Sequence, residues 1–243
     1  MKHFLIDSET TGKEEKDRVL QAGGMLLDGD KVTCFDEICS CPVETELEAM
    51  EVHGITPEMQ EGKVPCVETK FYKALLSNNN SKNFLFAHNA DFDVQMFMKE
   101  GFIPEYIIID TLRVARHLYK DSNSHRLQYL RYSLGLYKDE EAEAKKHGIT
   151  ITAHQAIGDV LVMKLLISKM VEKIRAEFPD VHPIQKMHQL TNTPVLMTHF
   201  RFGKHKGAEI ASVAQTDRGY LTWMRDNMDL EEDMIYTLET YLV

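Results

Sequence analysis

The sequence has no apolar run near the roughly 20 residues that a membrane-crossing helix needs. Its first residues, Met1-Lys2-His3-Phe4, lack the layout of a secretory leader, so a cytoplasmic protein is expected. Cysteine is scarce: Cys34, Cys39, Cys41 and Cys66 are the only four. They suit reduced thiols, and Cys39-Ser40-Cys41 has neither C-x2-C spacing nor a second pair to complete a zinc site. Tryptophan occurs once, at Trp223. Positive charge is also short, with 38 Asp and Glu against 28 Lys and Arg and a net charge of −10. That balance argues against a protein that coats nucleic acid by bulk electrostatics. It leaves open metal-dependent chemistry on nucleic acid, because ligand carboxylates add negative charge that bound cations then invert. Long repeats and low-complexity tracts are absent too. At 243 residues, 43% hydrophobic and 27% charged, the chain has globular values and room for one large domain or a medium one plus a small one.

What is present begins with Phe4-Leu5-Ile6-Asp7-Ser8-Glu9-Thr10-Thr11-Gly12, an apolar run that ends in two carboxylates. On a strand, Asp7 and Glu9 point to the same face. Like charges side by side on a sheet are unfavourable unless a cation sits between them. Taken alone, the pair reads as the polar end of a strand.

Strands are expected at 3–8, 18–28 and 32–41, in meander, with a tight turn at Asp28-Gly29-Asp30. Residues 44–62 read as loop or mixed structure. Strand–helix alternation follows, with helices at 66–76, 92–99 and 112–119 and strands at 84–87 and 106–109. Leu127, Leu130 and Leu134 mark a further helix. Residues 140–146 are charged all round and read as a solvated face or mobile loop. A long helix is expected over 153–178, with its stripe through Leu161, Leu165 and Ile174. The pattern predicts an α/β domain with a mixed sheet over 1–178, a linker at 179–197 carrying Pro183 and Pro194, and a small, mainly helical module over 198–243.

Three more segments gather chemistry: Glu48-Ala49-Met50-Glu51-Val52-His53-Gly54, His88-Asn89-Ala90-Asp91-Phe92-Asp93 and His154-Gln155-Ala156-Ile157-Gly158-Asp159. Four carboxylates from three separated segments suffice for two hard divalent cations. An imidazole with a pKa near 6.5 suits proton abstraction from water at neutral pH. His154 and Asp159 would diverge by about 140° on one continuous helix. The expectation is therefore a loop or first-turn His154 and a helical Asp159.

The segments 4–12, 88–93 and 154–159 resemble, in order and spacing, the three motifs of the DEDDh 3′–5′ exonucleases, a superfamily that includes the proofreading subunit of bacterial DNA polymerase III. Asp17-Arg18-Val19, Val52-His53-Gly54-Ile55-Thr56 and Asp110-Thr111-Leu112-Arg113-Val114-Ala115-Arg116 add to the likeness, which covers about residues 3–175. It implies a ribonuclease H-like mixed β-sheet flanked by helices. It implies Asp7, Glu9, Asp93 and Asp159 as ligands of two Mg²⁺ ions, replaceable by Mn²⁺, and His154 as general base. The pattern selects Asp93 over Asp91. Glu48 and His53 match substrate contacts, and the motif residues Thr10, Thr11, Gly12, His88 and Asn89 are taken with them. An apolar wedge is common after the glycine in this superfamily; here the residue is Lys13. Gln21 also stands where an acidic residue is common. Stacking on the terminal base then passes to Phe92 or Ile55.

The tail resembles the small module at the end of exodeoxyribonuclease X-like proteins through Phe202-Gly203-Lys204-His205-Lys206-Gly207 and Asp217-Arg218-Gly219-Tyr220-Leu221-Thr222-Trp223-Met224. Lys204 and Lys206, with amides freed by glycine, are expected to seat a phosphate. Trp223 is expected in the module's core. The resemblance implies a metal-dependent 3′–5′ exodeoxyribonuclease acting on DNA 3′ ends in repair or end processing, without a membrane. An RNA-trimming enzyme of the same superfamily, and a subunit docked to a polymerase or repair complex, are the alternatives.

Overall fold

The alternation in β1 (His3–Thr10) decides the layout. Leu5 points to one face of the sheet, while Phe4 and Ile6 point to the other, and all three are buried. The computed structural model describes residues 1–149 and 155–242. β1 pairs antiparallel with β2 (Val19–Asp28), which pairs antiparallel with β3 (Lys31–Ile38). On its other edge β1 takes β4 (Phe84–Ala87) in parallel, and β5 (Ile107–Asp110) continues parallel to β4. The order is therefore β3-β2-β1-β4-β5, the mixed sheet that the sequence predicts.

Between β3 and β4 run α1 (Leu47–His53), α2 (Pro57–Gln60) and α3 (Lys70–Ser77), and between β4 and β5 runs α4 (Ala90–Lys99). Beyond β5 come α5 (Thr111–Leu118), α6 (Leu127–Ser133), α7 (Glu140–His147), α8 (Ala156–Glu177) and α9 (Pro183–Thr191). The helices α3 and α4 cover the Phe4 and Ile6 face with Phe71, Leu75, Val94 and Phe97. The helices α5, α6, α8 and α9 cover the Leu5 face with Val114, Leu130, Leu161, Leu166 and Met187. A fully buried Leu or Phe contributes about 1.5–3 kcal/mol relative to exposure, so each face is amply driven to close.

Two stretches differ from the sequence reading. The linker expected over 179–197 contains the helix α9. Pro183 opens that helix, where its missing N–H costs nothing, and Ile184, Met187 and Leu190 at helical spacing are buried. The solvated face expected at 140–146 is α7, whose Ala144 and Glu140 are buried. Glu140 is held by Arg131, whose Nε and Nη2 donate to its two oxygens at 2.5 Å each.

The chain divides into two compact units, Met1–Thr191 and Asn192–Val243. The second is built from α10 (Ile210–Thr216), α11 (Arg218–Asn227) and α12 (Glu232–Leu242). Its core is Phe200, Ile210, Val213, Leu221, Met224, Met234 and Leu238. The N–H groups of Val195 and Met197 donate to Asp233 Oδ1 and Thr237 Oγ1, both at 2.9 Å, which ties its leading segment to α12. Among the described residues no helix is long and apolar enough to cross a membrane.

Candidate active site

The alternation that turns Leu5 toward α8 turns Asp7 and Glu9 the same way. Their partners across the β1–β2 ladder are Gly23 and Gln21. Gly23 has no side chain to hold α8 away. A Cβ there would lie 2.5 Å from the carbonyl carbon of Ala156 and 2.6 Å from the nitrogen of Ile157. The first turn of α8 thus rests on the strand. The Ala156 N–H donates to Gln21 Oε1 at 3.4 Å, and Gln21 Nε2 donates to Asp36 Oδ1 at 2.7 Å. Asp159 sits in that first turn, where the helix dipole favours a carboxylate. Asp7, Glu9 and Asp159 can each offer an oxygen within 4.8 Å of the others.

Asp93 comes from the opposite face. It lies in the first turn of α4, is buried, and accepts a hydrogen bond from Ser8 Oγ at 2.6 Å. Ser8 alternates with Asp7 and Glu9 on β1, so the strand supplies two carboxylates on one side and the anchor of a third on the other.

Asp7, Glu9 and Asp93 all hold their protons more tightly than ordinary carboxylates. Burial, then repulsion from Asp93, Asp159 and Glu9, holds Asp7 well above the usual carboxylate range. Glu9 is pushed to about 8 by burial and by Asp159 and Asp93. Asp93 is pushed to about 7, chiefly by burial, against the opposing Ser8 hydrogen bond. A cluster that holds protons because it is buried and its neighbours are negative is short of positive charge. Its donors are all carboxylate oxygens, the ligand type of hard divalent cations. The residues present therefore fit a bound divalent metal.

Support for Asp159 comes from a residue that the sequence reading missed. Gln128 on α6 donates from Nε2 to Asp159 Oδ1 at 2.5 Å and accepts from Arg131 Nη1 at 3.2 Å. Arg131 is the same guanidinium that grips Glu140. The hint in the sequence was a polar Gln128 directly beside buried Leu127, but nothing local says which carboxylate it meets.

Thr10, Thr11 and Gly12 form a tightly tied loop at the end of β1. Thr10 Oγ1 donates to the Gly12 carbonyl at 2.7 Å, and Thr11 Oγ1 donates to Asp17 Oδ1 at 2.8 Å. A Cβ on Gly12 would come within 2.5–2.7 Å of the Asp17 and Glu46 carboxylates. Glu46 is thus the acidic residue packed on this loop, while Glu48 is exposed on α1. His53 is buried beneath the loop. Its Nδ1 accepts the Ile55 N–H at 2.9 Å, which makes Nε2 the protonated nitrogen that donates to the Thr10 carbonyl at 3.2 Å. Ile55 itself is buried.

The ring of His88 is engaged at both nitrogens. Nε2 donates to the His125 carbonyl at 2.8 Å and Nδ1 lies 3.0 Å from the Thr111 hydroxyl. Burial pushes its pKa down to about 4, so the ring is neutral. Asn89 is exposed in the left-handed region at φ 80°, its N–H held by Asp110 Oδ1 at 3.1 Å. Phe92 is half-buried against the α3–α4 core. In the second unit, Lys204 Nζ lies 2.7 Å from Asp217 Oδ2, and Lys206 is exposed. His154 lies outside the described residues.

Comparison with known proteins agrees with this architecture. Residues 4–166 match the family model described as Exonuclease, and residues 200–229 match that described as Exodeoxyribonuclease X-like C-terminal. Exodeoxyribonuclease 10 of Escherichia coli (strain K12) is 26% identical over 98% of this chain and 97% of its own length. The solved structure of Exonuclease X in complex with 5′ overhanging duplex DNA superposes with a TM-score of 0.53 at 19% identity, over 78% of this chain and 99% of that one. The zinc-bound complex of E. coli ExoI with single-stranded DNA gives a TM-score of 0.54 at 19% identity, over 76% of this chain and 42% of that one. Sheet order, carboxylate cluster and family match converge: the chain belongs to the Exonuclease family.

Proposed function

We propose that the chain hydrolyses DNA from its 3′ end, releasing nucleoside 5′-monophosphates, with Asp7, Glu9, Asp93 and Asp159 holding two Mg²⁺ or Mn²⁺ ions. The observation that carries this reading is the convergence of Asp7, Glu9 and Asp159 to within 4.8 Å in an Exonuclease-family chain. When bound, the cations supply positive charge to the scissile phosphate and to the departing oxygen. The protein's own groups do the rest. Gln128 and Ser8 fix the carboxylates of Asp159 and Asp93. His154 takes a proton from the attacking water. The water oxygen bonds to phosphorus as the P–O3′ bond breaks, and the 3′ oxygen stays on the shortened strand, taking a proton from solvent to become a hydroxyl. The Thr10–Gly12 loop, braced by His53, faces the terminal nucleotide.

DNA is favoured over RNA because the E. coli relative that matches nearly end to end is an exodeoxyribonuclease, and two of the solved neighbours are complexes with DNA. A digestion panel tests this. It offers 5′-labelled and 3′-labelled single strands, duplex with overhangs, and RNA, each with Mg²⁺, Mn²⁺ or EDTA. Stepwise shortening of 5′-labelled DNA, lost in EDTA, is expected. Faster trimming of RNA than of DNA would overturn the substrate, and cleavage that survives EDTA would overturn the metal site.

A further inference from the structure

Trp223, the chain's only tryptophan, is 52% exposed, which corrects the expectation that it fills the module's core. Its helical neighbours Leu221 and Met224 are the buried ones. Tyr220 and Trp223 stand three residues apart on α11 and so share a face. Their rings stack, 6.1 Å between centroids and 23° between planes.

The tyrosine beneath is braced by the glycine-flanked turn. Tyr220 Oη accepts the Lys204 N–H at 3.2 Å. Its ring meets His205 edge-on at 4.9 Å and Phe200 at 5.9 Å. Gly203, at φ 75°, leaves room for it, since a Cβ there would lie 2.4 Å from Tyr220 Oη. Lys204 and His205 are both anchored on Asp217, at 2.7 and 2.9 Å. Hydrogen bonds from Lys204 and then His205 hold that carboxyl at about 2. The turn expected to cradle a phosphate also braces an aromatic step, and Lys204 is paired with Asp217. Arg201 and Lys206 on the same turn are exposed and make no ion pair among the described residues. Residues 199–225 carry five Lys and Arg against two Asp and Glu, in a chain of net charge −10.

We propose that the Tyr220–Trp223 step stacks on an unpaired base of single-stranded DNA while Arg201 and Lys206 meet the neighbouring phosphates. The second unit is then a substrate contact in addition to the carboxylate site. Every base offers a π-face, so such a contact is tolerant of sequence, as an exonuclease requires. An apolar protein partner would gain little from the exposed cations on the turn that braces the rings. This inference rests on the reading of the chain as a nuclease of DNA, but its test is separable from that reading.

The test is a fluorescence titration of the full chain in EDTA with a single-stranded oligothymidylate. Excitation at the red edge, where tyrosine does not absorb, makes Trp223 the sole source of emission. Saturable quenching is expected, with the midpoint given by the anisotropy of a fluorescein-labelled copy. Trp223→Ala should weaken the anisotropy affinity on the order of tenfold. Lys206→Ala should weaken it less and lower the salt slope by about one. Asp7→Asn should lose digestion yet keep the quenching, so the two readings fail separately. Quenching in the parent stands whether or not a variant folds. If DNA binds with no change in emission and with equal affinity for Trp223→Ala, or if it does not bind at all, the proposal is overturned and the exposed rings serve a different partner.

Discussion

Gln128 reaches from α6 to Asp159 on α8 with a 2.5 Å hydrogen bond, and its own carbonyl is held by Arg131. The carboxylate is thereby fixed before any cation arrives. Groups that orient metal ligands typically change affinity by 10–100-fold when removed. Gln128→Ala should weaken Mn²⁺ binding, followed by titration calorimetry, by about that factor, and lower kcat more than it raises KM. Gln128→Glu should be worse, because it adds a fifth negative charge to the cluster. Unchanged affinity in Gln128→Ala would leave the contact without a role.

Gly23 is the position where strand and helix nearly touch. A Cβ there would come within 2.5 Å of the Ala156 backbone, which cannot rotate away as a side chain can. Gly23→Ala should displace the first turn of α8, lower stability by about 1–3 kcal/mol, and reduce activity by moving Asp159. Thermal unfolding and kcat measured together check this. Loss of stability with unchanged kcat would mean that α8 shifts as a whole without disturbing the site.

The raised carboxylate pKa values make stability fall as pH rises. In the unfolded chain Asp and Glu titrate near pH 4, whereas in the folded, metal-free chain Glu9 and Asp93 stand at about 8 and about 7. Between those limits the folded state binds more protons, so raising the pH from about 5 to 8 destabilises it. In EDTA, Tm should decline over that window. Glu9→Gln should remove part of the decline, raising Tm at pH 8 on the order of 5 °C, and abolish activity. Adding Mg²⁺ should restore Tm most at pH 8, where the ligands are ionised. A flat profile in EDTA would show that the carboxylates do not burden one another.

Much of this was legible before the structure. The apolar run ending in Asp7 and Glu9 names its own strand, and Phe84-Leu85-Phe86-Ala87 forms β4 over the expected residues. Period-two and period-3.6 patterns survive wherever one face is buried. What failed were segments whose partners are distant. Glu140 looks solvated until Arg131, nine residues earlier, is seen to grip it. The helix α9 hides behind Pro183, a residue that opens helices as readily as it ends them. A sole tryptophan in a small module reads as core, but this unit fills its core with Phe200, Leu221 and Met224 instead. Glu46 and Gln128 carry no motif, because their roles are set by loops and helices that only tertiary structure brings near.

The most direct test of the carboxylate site is the rate at which Asp7→Asn shortens 5′-labelled single-stranded DNA in Mg²⁺, measured beside the parent. The substitution keeps the shape of the side chain and removes one ligand charge. The account predicts a loss on the order of 10³-fold, about 4 kcal/mol of barrier, with Tm in EDTA unchanged or raised. Retention of Mg²⁺-dependent shortening within a few-fold of the parent would contradict it.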